Sequence, residues 1–190
     1  MRITVIYGSP RSNSNTKALL DIVTEEVKNA GIEADYYDVY NMSVSGCRAC
    51  LGCQADMSGV SCVIDDDMQP ILESIKESEA IVIAAPIYAW SVPAPVKAVI
   101  DRMAFACCKY YGVDPFGPSY LKGKKLYIIT TCGYPVEKGA DLHEEAMKRL
   151  AKHCKMEYGG MLAARHKNMK EPFMDADKEA MARNFAKKLL

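Results

Sequence analysis

Short apolar runs alternate along the chain with segments of helical periodicity. Arg2–Tyr7 (RITVIY), Ala80–Ala85 (AIVIAA) and Lys125–Thr131 (KLYIITT) are nearly continuous runs of apolar and β-branched residues. This pattern is typical of strands buried on both faces. Ile32–Val39 (IEADYYDV) mixes polar and apolar residues, which indicates an edge strand. Tyr158–Ala164 is the fifth predicted strand.

Helices are predicted between these strands, and they lie over Lys17–Ala30, Asp66–Glu77, Ala94–Met103, Ala140–Cys154 and Ala176–Leu189. In the fourth helix we expect an apolar stripe of Leu142, Ala146 and Leu150, and in the last a stripe of Met181, Phe185 and Leu189. Strands that alternate with helices predict an α/β fold with a doubly wound parallel sheet. A polar second strand favours the strand order 2-1-3-4-5, in one domain over residues 1–190.

The loop after the first strand reads GSPRSNSNT, from Gly8 to Thr16. A strand, a polar loop and a helix N-terminus together favour anion binding, because the first helical turn has free N–H groups. The loop lacks the glycine patterns of nucleotide-triphosphate and dinucleotide sites. Its hydroxyl-rich composition suits a terminal phosphomonoester, as in a flavin mononucleotide. The alternative is an ordinary Ser/Asn-rich turn with an N-cap.

Two further loops are expected at the same edge of the sheet, Pro86–Pro93 and Cys132–Gly139. Proline residues stiffen the first loop, and Tyr88 and Trp90 offer flat apolar surface there. Tyr134 adds another ring in the second loop. Together with the hydroxyl-rich loop, they favour a planar heterocycle with a phosphate tail. The alternative for Tyr88 and Trp90 is packing at the rim of the sheet.

Charge and composition exclude several classes of protein. Lys plus Arg and Asp plus Glu both number 24, so the net charge does not indicate a basic surface that binds nucleic acid. No apolar run is long enough to span a bilayer, and no signal-peptide pattern is present, so we expect no membrane partner and a cytoplasmic location. The 8 cysteines then favour reduced thiols, metal ligation or redox chemistry over a disulfide framework.

GSPRSNSNT and PIYAWSVPAPVKAVIDR, with the cysteine-rich segment between them, resemble the NADPH-dependent FMN reductase and iron-sulfur flavoprotein family of the flavodoxin-like superfamily. The likeness covers Met1 to about Gly133. It implies a flavodoxin-like three-layer sandwich, NAD(P)H as electron donor, and a homodimer or homotetramer. The FMN-binding residues that it implies are Ser9, Arg11, Ser14, Asn15 and Thr16 at the phosphate, Pro86, Ile87, Tyr88, Ala89 and Trp90 along the ring system, and Thr131, Cys132 and Gly133 on its other side.

The cysteine-rich segment, predicted as a loop over residues 41–65 after the second strand, is the second chemical signal. Cys47, Cys50 and Cys53 are separated by two-residue gaps, and Cys62 follows after eight residues. This spacing resembles the cluster motif of the iron-sulfur flavoproteins and suits a [4Fe–4S] cluster. Zinc is a weaker candidate, because structural zinc sites usually use two separated C-x2-C pairs. A loop of free thiols without metal is the third interpretation.

The remaining candidate residues are assigned structural roles or none. Cys107, Cys108, Cys132 and Cys154 are isolated, which is typical of small buried residues. Lys97, Asp101 and Arg102 match the family's K-x-x-x-D-R helix, in which Lys97 and Asp101 form an i,i+4 pair. The three histidines pair with no evident carboxylate or nucleophile.

The expected function is an FMN-dependent NAD(P)H oxidoreductase that passes electrons to a quinone, flavin, azo or protein acceptor. No catalytic side chain is assigned, because the cofactor carries the hard chemistry. The alternatives are an iron-sulfur flavoprotein or flavodoxin-type electron carrier without nicotinamide turnover, and a flavin-binding regulatory protein. A formal charge of zero argues against a carrier that docks by strong acidic charge.

Overall fold

Five parallel strands in the order β2-β1-β3-β4-β5 form the central sheet. Their bounds are Arg2–Tyr7 for β1, Glu33–Asp38 for β2, Ala80–Pro86 for β3, Lys125–Cys132 for β4 and Glu157–Arg165 for β5. The computed structural model describes residues 1–112, 115–168 and 170–190. The predicted strand order is confirmed, and the polar β2 lies at one edge of the sheet.

Six α-helices surround the sheet within the described residues. Their bounds are Asn15–Asn29 for α1, Met68–Glu77 for α2, Ala94–Cys107 for α3, Val136–Gly139 for α4, Asp141–His153 for α5 and Ala176–Ala186 for α6. A short 3-10 helix spans Gly52–Gln54 within the cysteine-rich segment. The helix α3 continues four residues beyond the predicted Met103, and α4 lies where we predicted only loop. None of the described helices is long and apolar enough to cross a membrane.

The side chains of the inner strands alternate between two cores, one on each face of the sheet. Ile83 and its neighbours at every second position pack against α2, α3 and α5. Val82 and the intervening positions pack against α1 and α6. Both faces of β3 are therefore covered, as the continuous apolar run AIVIAA indicated. This arrangement leaves the carboxyl ends of the strands and their loops as the region open to a ligand.

The buried face of α5 differs from the predicted one. His143, Met147 and Ala151 are buried, whereas Leu142 is 60% exposed. Both sets have i,i+4,i+8 spacing and differ by a single position, which rotates the helix face by about 100°. The two leucines favoured the wrong set, because tertiary packing and not side-chain hydropathy decides between adjacent stripes. The stripe on α6 is likewise only partly right, since Met181 is 44% exposed.

Candidate functional site

A cavity of about 270 Å³ opens beyond the carboxyl ends of β1, β3 and β4. We call it the flavin cavity, after the cofactor that the sequence predicts for it. Its lining residues are Ser9, Arg11, Asn13, Ser14, Asn15, Thr16, Pro86, Ile87, Tyr88, Thr131, Cys132, Gly133 and His166. The structure thus brings together every residue predicted to bind FMN except Ala89 and Trp90. The cavity lies beside the switch point between β1 and β3, where ligands bind in doubly wound sheets.

The hydroxyl groups of the first loop are organised by hydrogen bonds to the protein. Ser14 is the N-cap of α1, and its Oγ accepts the Lys17 N–H at 3.0 Å and lies 2.7 Å from the Tyr7 hydroxyl. The Thr16 and Thr131 hydroxyls meet at 2.7 Å and tie the start of α1 to the end of β4. The loop is therefore fixed to the sheet before any ligand binds.

The electrostatics of the flavin cavity favour an anion. Arg11 carries the only permanent charge among the described lining residues, and none of them is acidic. The N-terminus of α1 opens into the same cavity, so its partial positive charge adds to that of Arg11. These features suit a phosphate group and disfavour a cationic ligand.

Sequence reasoning missed two lining residues, Asn13 and His166. The His166 Nδ1 lies 2.8 Å from the Asn15 Nδ2, and the His166 backbone N–H donates to the Cys132 carbonyl at 3.0 Å. No local signal marks His166, because it reaches the cavity only through the position of β5 in the sheet. Asn13 lies inside the hydroxyl-rich loop, but the family resemblance does not assign it a role.

Ala89 and Trp90 form a strained two-residue turn beside the flavin cavity. Both have a left-handed backbone, with φ of 49° and 61°, between the bridged residues Tyr88 and Ser91. Such turns usually contain glycine or asparagine, because a left-handed residue costs about 1–2 kcal/mol. Strain of this kind is concentrated at functional sites, where surrounding contacts hold it in place.

This turn forms one wall of a second cavity of about 170 Å³, which shares Ile87, Cys132 and Gly133 with the flavin cavity. Trp90 stacks on Tyr134, with ring centroids 5.8 Å apart and planes 19° apart. The Trp90 Nε1 donates to the Lys138 carbonyl at 2.9 Å and so joins the turn to α4. Burial raises the pKa of the Cys132 thiol between the two cavities, which keeps it protonated at neutral pH.

All four cysteines of the cysteine-rich segment line one small cavity, which we call the cysteine cavity. Cys53 is buried, Cys62 is half-buried, and Cys47 and Cys50 are exposed. No group of three or more His, Cys, Asp or Glu residues in the described chain converges on a single metal ion. Ala49 and Leu51, on either side of Cys50, have left-handed φ angles of 50° and 58°, so this segment is also strained.

Arg102 of α3 forms the floor of the cysteine cavity and is almost wholly buried. Its Nη1 donates to both carboxylate oxygens of Asp66, at 2.6 and 2.7 Å, and its Nη2 lies 3.3 Å from the Cys62 Sγ. Burial favours a raised pKa for Asp66, but hydrogen bonds from Arg102 and from the N–H groups of Ser45 and Met68 outweigh it and lower the pKa. The ion pair therefore fixes the cysteine-rich segment to α3.

The other four cysteines are buried, as predicted, and the predicted i,i+4 pair of α3 is present. Cys107, Cys108, Cys132 and Cys154 are buried, and burial raises the pKa of Cys107 to about 12. Lys97 and Asp101 form an exposed i,i+4 ion pair at 2.6 Å.

Comparison with known proteins identifies a family that the sequence matches. Residues 1–167 match the model of the family described as NADPH-dependent FMN reductase. An iron-sulfur flavoprotein of Methanosarcina thermophila is 39% identical over 102 residues, which are 54% of this chain and 52% of that protein. Another, of Archaeoglobus fulgidus, is 34% identical over 140 residues, which are 72% of this chain and 58% of that protein. The chain thus spans little more than half the length of these curated relatives.

Solved structures share the fold. The structure of an FMN-dependent NADH-azoreductase from Bacillus anthracis in complex with FMN matches with a TM-score of 0.71 at 14% identity, over 99% of this chain and 98% of that one. Because the family match covers most of the sequence, the chain belongs to the NADPH-dependent FMN reductase family.

Proposed function

We propose that the protein is an FMN-dependent NAD(P)H oxidoreductase that passes electrons to a quinone, an azo compound, a free flavin or a redox protein. The observation that carries this proposal is the flavin cavity, where an Arg-containing hydroxyl loop and exposed aromatic rings share one edge of the sheet. The family match supports it. When bound, FMN supplies the hydride and electron-transfer chemistry of the site.

The residues of the flavin cavity bind and orient the cofactor. Arg11 and the N-terminus of α1 hold the phosphate by charge-assisted hydrogen bonds. The flat faces of Tyr88, Trp90 and Tyr134 exclude water from the ring system. The site needs no acid–base side chain, which agrees with the absence of a carboxylate among its described lining residues.

Backbone N–H groups of the two aromatic loops would stabilise negative charge on a bound flavin. Two of them are not available, since the Ile87 N–H donates to the Thr131 carbonyl and the Tyr88 N–H to the Ser91 carbonyl. The N–H groups of Ala89, Trp90 and Gly133 make no backbone hydrogen bond within the described residues. The left-handed turn thus leaves two adjacent donors open, which gives its strain a functional reason.

We further propose that Cys47, Cys50, Cys53 and Cys62 hold a [4Fe–4S] cluster. Four thiols and no competing carboxylate line one cavity, and this donor set suits an iron–sulfur cluster. Arg102 lines the same cavity, and its buried Nε has no hydrogen-bond partner among the described residues, which fits a missing anionic group. The cavity is about 20 Å³ in volume, so the segment with the exposed Cys47 and Cys50 must move outward to admit a cluster.

We also propose that two or more copies of the chain assemble. The flavin cavity and the cysteine cavity share no lining residue. The loop that precedes α3 lines the flavin cavity, whereas Arg102, Phe105 and Ala106 of α3 itself line the cysteine cavity. Arg102 lies nine positions after Pro93, the N-cap of α3, which corresponds to about 13 Å along the helix. Large apolar side chains that line the cysteine cavity are exposed, Val63 at 65% and Leu51 at 43%. A second copy would cover these exposed apolar side chains.

Anaerobic stopped-flow kinetics test the proposed activity. Protein purified without oxygen is mixed with NADH or NADPH, and the flavin absorbance should bleach. A quinone, an azo dye or free FMN should then restore the absorbance, with ping-pong kinetics if both substrates use one pocket. If neither nicotinamide bleaches the flavin while a one-electron donor protein does, the protein is an electron carrier.

A further inference from the structure

Arg102 is a buried charged residue whose hydrogen bonds within the described residues are incomplete. It is 1% exposed, yet only its two terminal nitrogens are used in hydrogen bonds. The Nε is buried and lacks a partner within the described residues. A buried N–H without a hydrogen-bond partner is destabilising, so a native protein normally has a reason to keep one.

The two terminal nitrogens of Arg102 have different hydrogen-bond partners. Nη1 is held by Asp66 and by the Ser45 carbonyl at 3.2 Å, which fixes the position of the guanidinium. Nη2 contacts the Cys62 Sγ at 3.3 Å and the Ile64 carbonyl at 3.2 Å. Because Asp66 holds only the Nη1 end, the Nη2 end of the positive charge remains directed at Cys62 and Ile64, which both line the cysteine cavity.

A second buried cation lies near the same thiols. Lys109 is fully buried, and its Nζ donates to the Cys53 carbonyl. Two buried cations thus contact the backbone or the sulfur of two of the four cysteines. Cysteine thiolates around an iron–sulfur core carry net negative charge, and hydrogen bonds and charges near the sulfurs set the reduction potential.

We propose that Arg102 hydrogen-bonds the Cys62 thiolate of the bound cluster and sets the cluster's reduction potential. The inference rests on the cluster proposed above. A guanidinium at the ligand sulfur stabilises the reduced cluster, which is more negative, over the oxidised one, and therefore raises the potential. Asp66 acts as a positioning residue that holds the guanidinium in place.

The test is a redox titration of the anaerobic holoprotein, followed by the electron paramagnetic resonance signal of the reduced cluster. Removing Arg102 alone would leave Asp66 buried and unpaired, so the variants are R102K, which keeps the charge, and the double variant R102Q/D66N, which removes both charges. The matched control is K97Q/D101N, the same exchange at the exposed ion pair of the same helix. Iron and sulfide content are measured for every protein.

The expected result is a midpoint potential that is more negative in R102K and in R102Q/D66N, with the iron content of the wild type, and unchanged in K97Q/D101N. Equal potentials in all proteins would overturn the role of Arg102. Loss of iron from both Arg102 variants but not from the control would also overturn it, because Arg102 would then build the site and not tune it. If the wild type itself takes up no iron, the cluster proposal fails, which is a distinguishable outcome.

Discussion

Asn15 and His166 are 151 residues apart in the sequence, and their side chains meet at 2.8 Å beside the flavin cavity. The contact joins the N-terminus of α1, where an anion is expected, to the segment that follows β5. It adds His166 to the residues of the three predicted loops that line the cavity.

The first prediction concerns this contact. H166A should weaken FMN binding roughly 2- to 10-fold, because one hydrogen bond that fixes the phosphate loop contributes about 0.5–1.5 kcal/mol. Quenching of FMN fluorescence by the apoprotein gives the affinity. H153A is the control, because His153 bonds the Tyr111 hydroxyl and lines neither the flavin cavity nor the second cavity beside the Ala89–Trp90 turn. An equal loss in both variants would show a general effect of removing a histidine and not a local one.

The second prediction concerns Arg11. R11A should weaken FMN binding by about 1.5–3 kcal/mol, because a charge-assisted hydrogen bond to the phosphate is lost. Riboflavin has the same ring system without the phosphate, so its affinity should be the same for R11A and wild type. Isothermal calorimetry with both ligands separates the two effects. A matching loss for riboflavin would place Arg11 at the ring system instead.

The third prediction follows from the buried His143. Burial lowers its pKa from the ordinary 6.5 to about 4. Above pH 6.5 the imidazole is neutral in both the folded and the unfolded protein. As the pH falls below 6.5, the imidazole of the unfolded chain becomes protonated, whereas that of the folded protein stays neutral until about pH 4. The free energy of unfolding should therefore decrease by up to about 3 kcal/mol as the pH is lowered from 6.5 to 4. Below pH 4, titration of His143 should cause no further decrease.

Denaturant unfolding of wild type and H143L between pH 7.5 and 4.5 measures this decrease. The variant should lose less stability over this range, since it has no titrating group at that position. Parallel curves for the two proteins would mean that His143 is protonated as easily in the folded protein as in the unfolded chain.

The fourth prediction concerns Gly8, where β1 passes into the phosphate loop. A Cβ at this position would lie 1.9 Å from the Cγ2 of the buried Val96. G8A should destabilise the protein by about 1–3 kcal/mol, because a stiff β-branched side chain in a packed core has to shift. A Cβ at Gly59 would meet no atom within 4 Å, so G59A is the control and should change stability little. Thermal unfolding compares the two.

Local patterns predicted much of the fold because the strands are buried on both faces. AIVIAA and KLYIITT have no other stable place than the middle of a covered sheet, and the polar β2 fits only its edge. The loop GSPRSNSNT could be identified as a candidate anion-binding loop for a similar reason, since its N-cap serine and the residues around it are adjacent in sequence.

Other features depend on contacts that no local pattern records. His143 and Leu142 are neighbours with opposite exposure, and only packing against the sheet decides which is buried. The turn Ala89–Trp90 contains no glycine to signal its left-handed backbone, so its hydrogen bond to Lys138 could not be anticipated. Arg102 was visible in the sequence only as part of a helix motif, because its partner Asp66 lies 36 residues away.

The Asn15–His166 contact can form only after residue 166 has been synthesised. At about 5–20 residues per second, a ribosome needs about 8 to 30 s to proceed from the first of these residues to the second. The residues that line the cysteine cavity, 47 to 106, have all been made well before His166 emerges. We expect a nascent chain to complete its thiol site first and its flavin cavity only after His166 has emerged, so ribosome-bound chains arrested before β5 should bind FMN more weakly than chains arrested after His166.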